Sequence, residues 1–141
     1  MFDIRLFGTT TVRSTTTEVV GSQLGGIKPR QVLEVLALAG AAPVTKDRLV
    51  QVLWGDNPPA SAVPTLESYV CVLRRSLGSG KGNSSPILTT SAGYRLDRER
   101  VTVDVLRCRS MLARAATADD AQALALTRKA LRYCDQPLLA S

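Results

Sequence analysis

From Ser61 to Gly78 the chain reads SAVPTLESYVCVLRRSLG, and this stretch limits the fold more than any other. Val63, Leu66, Val70, Leu73 and Leu77 recur at steps of three and four, which at about 100° per residue makes one apolar stripe. The spacing predicts an amphipathic helix with that stripe on a core. Opposite it fall Pro64, Ser68, Cys71, Val72 and Arg75, with Thr65 and Tyr69 along one flank and Glu67 and Arg74 along the other. This face is short of carboxylates, rich in small side chains, and ends in paired arginines. A helix entering the major groove of DNA needs small or hydroxylated side chains near base edges and guanidinium groups for phosphate or guanine. An ordinary surface helix with a basic last turn, favoured by the helix dipole, fits the same description, so the rest of the chain has to decide.

Composition narrows the choice. A chain of 141 residues, 45% of them hydrophobic, holds one domain and part of a second and can bury a core. Its net charge of +6 suits a polyanionic partner. Residues 1–101 carry twelve Lys or Arg against eight acids, and residues 102–141 six against four, so the excess is spread and a DNA footprint must come from local placement. The absence of histidine removes the commonest general base and any Ser/His or Cys/His dyad. Cys71, Cys108 and Cys134 are odd in number and widely spaced, which argues against a disulfide framework and against zinc. No cofactor is expected, nor an enzyme. With no leader peptide and no apolar run of membrane-spanning length, the reading is a reduced, soluble, cytoplasmic protein with no membrane partner.

Taken in order, Phe2 to Phe7 alternate as a half-buried strand, and the Thr- and Val-rich stretch to Leu24 extends it into a small antiparallel sheet of three or four strands. Pro29 is placed at a first helical position, and RQVLEVLALA predicts a largely buried helix over Arg30 to Ala39. Thr45 is the N-cap expected for KDRLVQVLW, whose apolar residues are Leu49, Val50, Val52 and Leu53. Lys46 and Arg48 in its first turn oppose the helix dipole, a hint that they meet something anionic. The loop Gly55 to Ala60, GDNPPA, is too long and too stiff for a simple helix-turn-helix turn. It is expected to project as a shaped surface.

Gly78 to Ser85 reads as a flexible linker. Ile87 to Thr90 and Tyr94 to Leu96 form a hairpin in which Gly93 can supply a positive φ. Strands, three helices and a hairpin make a winged helix over residues 1–101. Beyond it, Asp104 caps a helix with Val105, Cys108, Met111, Leu112 and Ala115 on one face. Asp119 starts another, with Ala123, Leu126, Ala130 and Leu131 inward. Such a pair over residues 102–141 is the unit of an α-solenoid, either cut short or folded back on the winged helix as a cap. Trp54 reads as a residue closing the second helix. Tyr69 is expected to pack in part on the hairpin and reach a phosphate with its hydroxyl. Cys71 is a small filler on the groove side.

The run KPRQVLEVLALAGAAPVTKDRLVQVLWGDNPPASAVPTLESYVCVLRRSLG, with ILTTSAGYRLD and VDVLRCRSMLARA after it, closely resembles the Streptomyces antibiotic regulatory protein family. The resemblance covers Phe2 to about Leu139. It implies an α+β fold: an OmpR-type, two-component-like winged helix-turn-helix with an N-terminal antiparallel sheet and a C-terminal hairpin wing. A tetratricopeptide-like helical segment, the start of a bacterial transcriptional activation domain, would follow. It implies a transcription activator on double-stranded DNA at direct repeats, bound head to tail with itself, that recruits RNA polymerase and its sigma factor to secondary-metabolite or antibiotic genes. By position, Thr65, Ser68, Tyr69, Val72 and Arg75 would face the groove. Phosphate contacts would fall near Arg74 and the hairpin. Relatives often carry an arginine three positions before the hairpin glycine; Thr90 stands there in this chain, leaving Arg95 as the cation nearby. The loop Trp54 to Ala60, with Asp56, Asn57 and Pro58 at its centre, matches the surface that OmpR-class proteins turn to polymerase. No receiver domain is expected ahead of the winged helix, and so no phosphorylation switch. A winged helix used only for protein contacts is the alternative.

Overall fold

The computed structural model describes residues 1–78 and 85–140. Three short strands, β1 (Phe2–Arg5), β2 (Thr11–Arg13) and β3 (Glu18–Val20), lead to the helices α1 (Ile27–Ala39), α2 (Lys46–Trp54) and α3 (Ala62–Ser76), with the two-residue strand β4 (Val44–Thr45) just before α2. The wing strands β5 (Ile87–Thr89) and β6 (Gly93–Leu96) follow, then β7 (Val101–Val103) and the helices α4 (Asp104–Ala115) and α5 (Asp120–Tyr133). The fold is α+β, as expected. The stretch expected as a linker lies, at residues 79–84, outside the described residues.

Two sheets flank the helices. The first has the order β3-β2-β1-β7 and is mixed: β1 runs antiparallel to β2 but parallel to β7, with Phe2 opposite Val101 and Ile4 opposite Val103. The sequence predicts only the antiparallel part, because a three-residue strand such as VTV carries too little periodicity to be seen. The second sheet, β4-β6-β5, joins the wing to the segment before α2. Gly93 serves close approach here and not a positive φ. A Cβ on it would lie 2.0 Å from the Val44 carbonyl oxygen, so only glycine lets β4 and β6 pair at this point.

Helix α1 sits at the centre, packed on α2, α3 and β6. Val32, Leu33, Leu36 and Ala37 are fully buried. They meet Leu49 of α2 and Leu66, Val70 and Leu73 of α3 in one continuous core that also takes in Ile4 and Val12 of the first sheet and Leu6 just after β1. Each buried Leu or Val stabilises the fold by about 1.5–3 kcal/mol relative to exposure. The helix begins at Ile27, so Pro29 is its third residue and not its first. Two positions depart from the predicted stripes: Val63 and Val52 are exposed, while Ala62 is buried at the start of α3. In both helices an adjacent smaller or better-placed residue takes the core position.

A buried polar cluster ties the sheet to α1. Glu34 accepts a hydrogen bond from the Thr10 hydroxyl at 3.2 Å. Arg30 Nε lies 3.1 Å from the same carboxylate oxygen, without the alignment of a hydrogen bond. Burial, partly opposed by these two neighbours, raises the Glu34 pKa above its ordinary value.

At the far end, α4 and α5 pack on each other, and α4 also contacts β1 and β7. The cap of α4 is Val103, and Asp104 is its first helical residue. The Asp104 carboxylate accepts from the backbone N–H of Leu6 at 2.9 Å, of Phe7 at 3.1 Å and of Val105 at 2.7 Å. It therefore bonds the end of β1 to the start of α4. Asp119 caps α5 as expected, accepting from the Gln122 N–H. Val105, Cys108 and Ala130 are buried, but Leu112 and Leu131, predicted inward, are exposed. A two-helix pair has one shared interface, and these leucines lie outside it. After α5 the chain returns to the first sheet: the Gly8 N–H donates to the Pro137 carbonyl and the Leu139 N–H to that of Leu6, each at 2.7 Å.

Candidate nucleic-acid interface

The candidate interface is built on the outer face of α3. An α-helix returns to the same side about every 3.6 residues, and here Pro64, Glu67, Ser68, Cys71 and Arg75 are exposed on a single strip along the helix, with Val63 exposed beside its start. Leu66, Val70 and Leu73 anchor the opposite side at no more than 1% exposure. The strip is therefore held rigidly outward. Arg75 stands at its C-terminal end, exposed and without an ion-pair partner among the described residues.

Not every residue aligned with the groove lies on that strip. Thr65, Tyr69 and Val72 are half-buried on one flank. Val72 turns towards the loop before α1, where a Cβ on Gly25 would lie 2.2 Å from its Cγ1. Tyr69 packs on Trp54, with ring centroids 6.1 Å apart and planes 21° from parallel. About 100° of helical rotation per residue moves Val72 a quarter-turn from Cys71, which is enough to turn it from solvent to packing. The Ser68 hydroxyl donates to the Pro64 carbonyl one turn back, at 3.2 Å.

The two arginines at the end of α3 have different surroundings. Arg74 donates from Nη2 to the Ile87 carbonyl and to the Thr89 hydroxyl, both at 2.9 Å, and its guanidinium lies 6.0 Å from the Tyr94 ring centre. It clasps the wing to α3. In the wing itself, Thr90 donates its N–H to the Gly93 carbonyl at 2.8 Å, and its hydroxyl accepts from the Gly93 N–H at 2.9 Å. Thr90 thus closes the hairpin turn. Arg95 is half-buried and shares a recess with Arg74, Ser85 and Thr89 between α3 and the wing.

Lys46 meets an anion within the protein. Its Nζ donates to Glu67 at 3.0 Å and lies 5.6 Å from the Tyr94 ring centre. The Glu67 hydrogen bond raises the Lys46 pKa, and the pairing masks the one carboxylate on the exposed strip. Arg48 donates to Gln51 on the same helix. Lys46 also lines a second recess, with Thr45 and Asp47 at the start of α2 and Thr90 to Gly93 at the wing tip.

On the other side of α3, the loop after α2 has a fixed entry. Trp54 is half-buried, covered by Tyr69 and by Lys28, whose Nζ lies 5.2 Å from its ring centre and donates to the Leu53 carbonyl. Gly55 then leaves α2 with a φ of 65°, and residues 55–61 are all exposed. Asp56, Asn57 and Pro58 form the projecting part. Sequence reasoning missed the clasp by Arg74 and the packing of Tyr69 on Trp54, since both depend on contacts between elements distant in the chain.

The chain matches the family described as Transcriptional regulatory protein, C terminal, over residues 26–96. It is 36% identical over 119 residues to the transcriptional regulatory protein MoaR1 of Mycobacterium tuberculosis, with 82% of this chain and 37% of that protein covered. It is 39% identical over 84 residues to the regulatory protein DnrI of Streptomyces peucetius, covering 55% of this chain and 31% of that protein. Among solved structures, Mycobacterium tuberculosis EmbR in complex with a low-affinity phosphopeptide aligns with a TM-score of 0.77 at 30% identity, over 98% of this chain and 37% of that one. The chain thus spans about a third of the length of these relatives, between 31% and 37%. Among the described residues, no helix is long and apolar enough to cross a membrane. With α1 to α3 and the wing lying inside the matched segment, the chain belongs to the transcriptional regulatory protein family with an OmpR-type winged helix, in its Streptomyces antibiotic regulatory protein branch.

Proposed function

We propose that the chain is the DNA-reading part of a cytoplasmic transcription activator that binds direct repeats in promoters and brings RNA polymerase to them. The observation that carries this reading is the outward strip of α3, small side chains ending in an exposed Arg75 that has no ion-pair partner among the described residues, with its one carboxylate already held by Lys46. Such a strip fits the major groove sterically and electrostatically. Residues 1–101 would bind DNA. Residues 102–141 would begin the activation domain, and Trp54, Asp56, Asn57 and Pro58 would face polymerase, including its sigma factor. The named relatives DnrI and MoaR1 are regulatory proteins, which supports control of transcription. Regulation of secondary-metabolite genes follows from the family resemblance.

Among the described residues no coiled-coil seam offers a symmetric dimer interface, so two copies are expected head to tail, a heterologous contact. Footprinting of the whole chain on promoter DNA tests this directly. Protection of two direct repeats whose centres are about one helical turn, roughly 10–10.5 base pairs, apart is expected. Inverted half-sites would contradict the arrangement. An absence of any protection would leave the winged helix as a protein-contact module.

A further inference from the structure

We propose that Cys108 and Cys134 form an oxidisable dithiol, a modification site at which a peroxide joins α4 covalently to the end of α5. The two residues are 26 positions apart in the sequence, yet their sulfurs lie 3.2 Å from each other as free thiols. Cys108 sits on the face of α4 turned to α5, 4% exposed, with its Sγ 3.7 Å from the Ala130 carbonyl. Cys134 is the C-cap of α5 and is exposed. A disulfide has its sulfurs about 2.05 Å apart, so closure needs an approach of about 1 Å, within the reach of a residue at a helix end.

The arrangement assigns the two sulfurs different parts. Burial pushes the Cys108 thiol up to about 11, so at neutral pH it stays protonated and shielded. Cys134 is the accessible sulfur. Its thiolate attacks one oxygen of hydrogen peroxide, the O–O bond breaks, and the leaving hydroxide takes up the thiol proton as water. The Cys134 sulfenic acid is then attacked by the Cys108 sulfur: the S–O bond breaks, the S–S bond forms, and the hydroxyl leaves with the Cys108 proton as a second water. Two thiols are oxidised by two electrons and one peroxide is reduced to two waters. The bond would fasten the end of α5, from which the chain returns to the stretch just after β1, where Pro137 and Leu139 pair with Gly8 and Leu6.

The whole chain, reduced and then exposed to a few equivalents of hydrogen peroxide, is alkylated, digested and mapped by mass spectrometry. The site predicts a monomer lighter by two hydrogens, with a Cys108–Cys134 linked peptide, an alkylated Cys71 and a raised unfolding midpoint that dithiothreitol reverses. Cys108→Ala should stop at a Cys134 sulfenic acid that dimedone traps, and Cys134→Ser should leave Cys108 alkylated only after unfolding. The proposal is overturned if wild-type Cys108 and Cys134 are both alkylated at peroxide levels that oxidise free glutathione, or if disulfides form between molecules instead.

Discussion

Adjacent arginines at the end of α3 have separate tasks. Arg75 points to solvent from the exposed strip, whereas Arg74 spends its guanidinium on Ile87, Thr89 and the Tyr94 ring. Arg75→Ala should therefore cost about 1–3 kcal/mol of affinity for the footprinted site and relax its specificity. Arg74→Ala should instead lower stability by about 1–2 kcal/mol, the scale of its lost hydrogen bonds, and weaken binding to operator and scrambled DNA by a common factor. Parallel urea denaturation and anisotropy titration separate the two; a selective affinity loss in Arg74→Ala would reverse the roles. Glu34 offers a pH test. Its folded pKa is raised, chiefly by burial, so the folded state binds the proton more tightly than the unfolded chain does. Its contribution is most favourable below the ordinary carboxylate range and is lost as pH rises through the raised value. Relative to Glu34→Gln, the wild type should lose stability as pH rises above the ordinary carboxylate range, as read from urea midpoints. A difference that is flat with pH would place the carboxylate in water.

At the scale of elements, helices with strong periodicity were legible in the sequence and short pairings were not. The stripe through Leu66, Val70, Leu73 and Leu77 reads as a helix because period and burial agree over several turns. Nothing local in Val101–Val103 or Val44–Thr45 marks a strand, since each exists through a partner elsewhere in the chain. The same division runs through the interface. Ser68 and Arg75 follow from helical geometry alone, but the inward turn of Val72 depends on Gly25 approaching it, and the wing clasp by Arg74 on a hairpin thirteen or more residues away. The loop after α2 is an element whose stiffness was legible, in Pro58 and Pro59. Its entry is fixed by Trp54, Tyr69 and Lys28, while Asp56 and Asn57 are exposed. Changing both to Ala should leave operator affinity within about twofold, a few tenths of a kcal/mol, and lower transcription in vitro. Equal losses in binding and transcription would mean that the loop only positions α3.

Across the whole molecule, Asp104 is the joint between the first sheet and the helix pair. It holds the Leu6 and Phe7 N–H groups from nearly a hundred residues away, and its removal leaves buried donors unpaired. Asp104→Ala should cost about 2–4 kcal/mol, while Asp104→Asn, which keeps one acceptor oxygen, should cost less. A surface-like loss below about 0.5 kcal/mol would mean that the helix pair docks without it. That α3 reads DNA is the central claim, and salt dependence tests it most directly. Binding of the whole chain to the footprinted duplex and to a scrambled duplex should be titrated between about 50 and 200 mM salt. A straight, steep fall of log affinity with log salt is expected for both duplexes, with the footprinted one bound more tightly throughout and that margin reduced in Arg75→Ala. Affinity indifferent to salt, or equal for the two duplexes at every salt concentration, would contradict it.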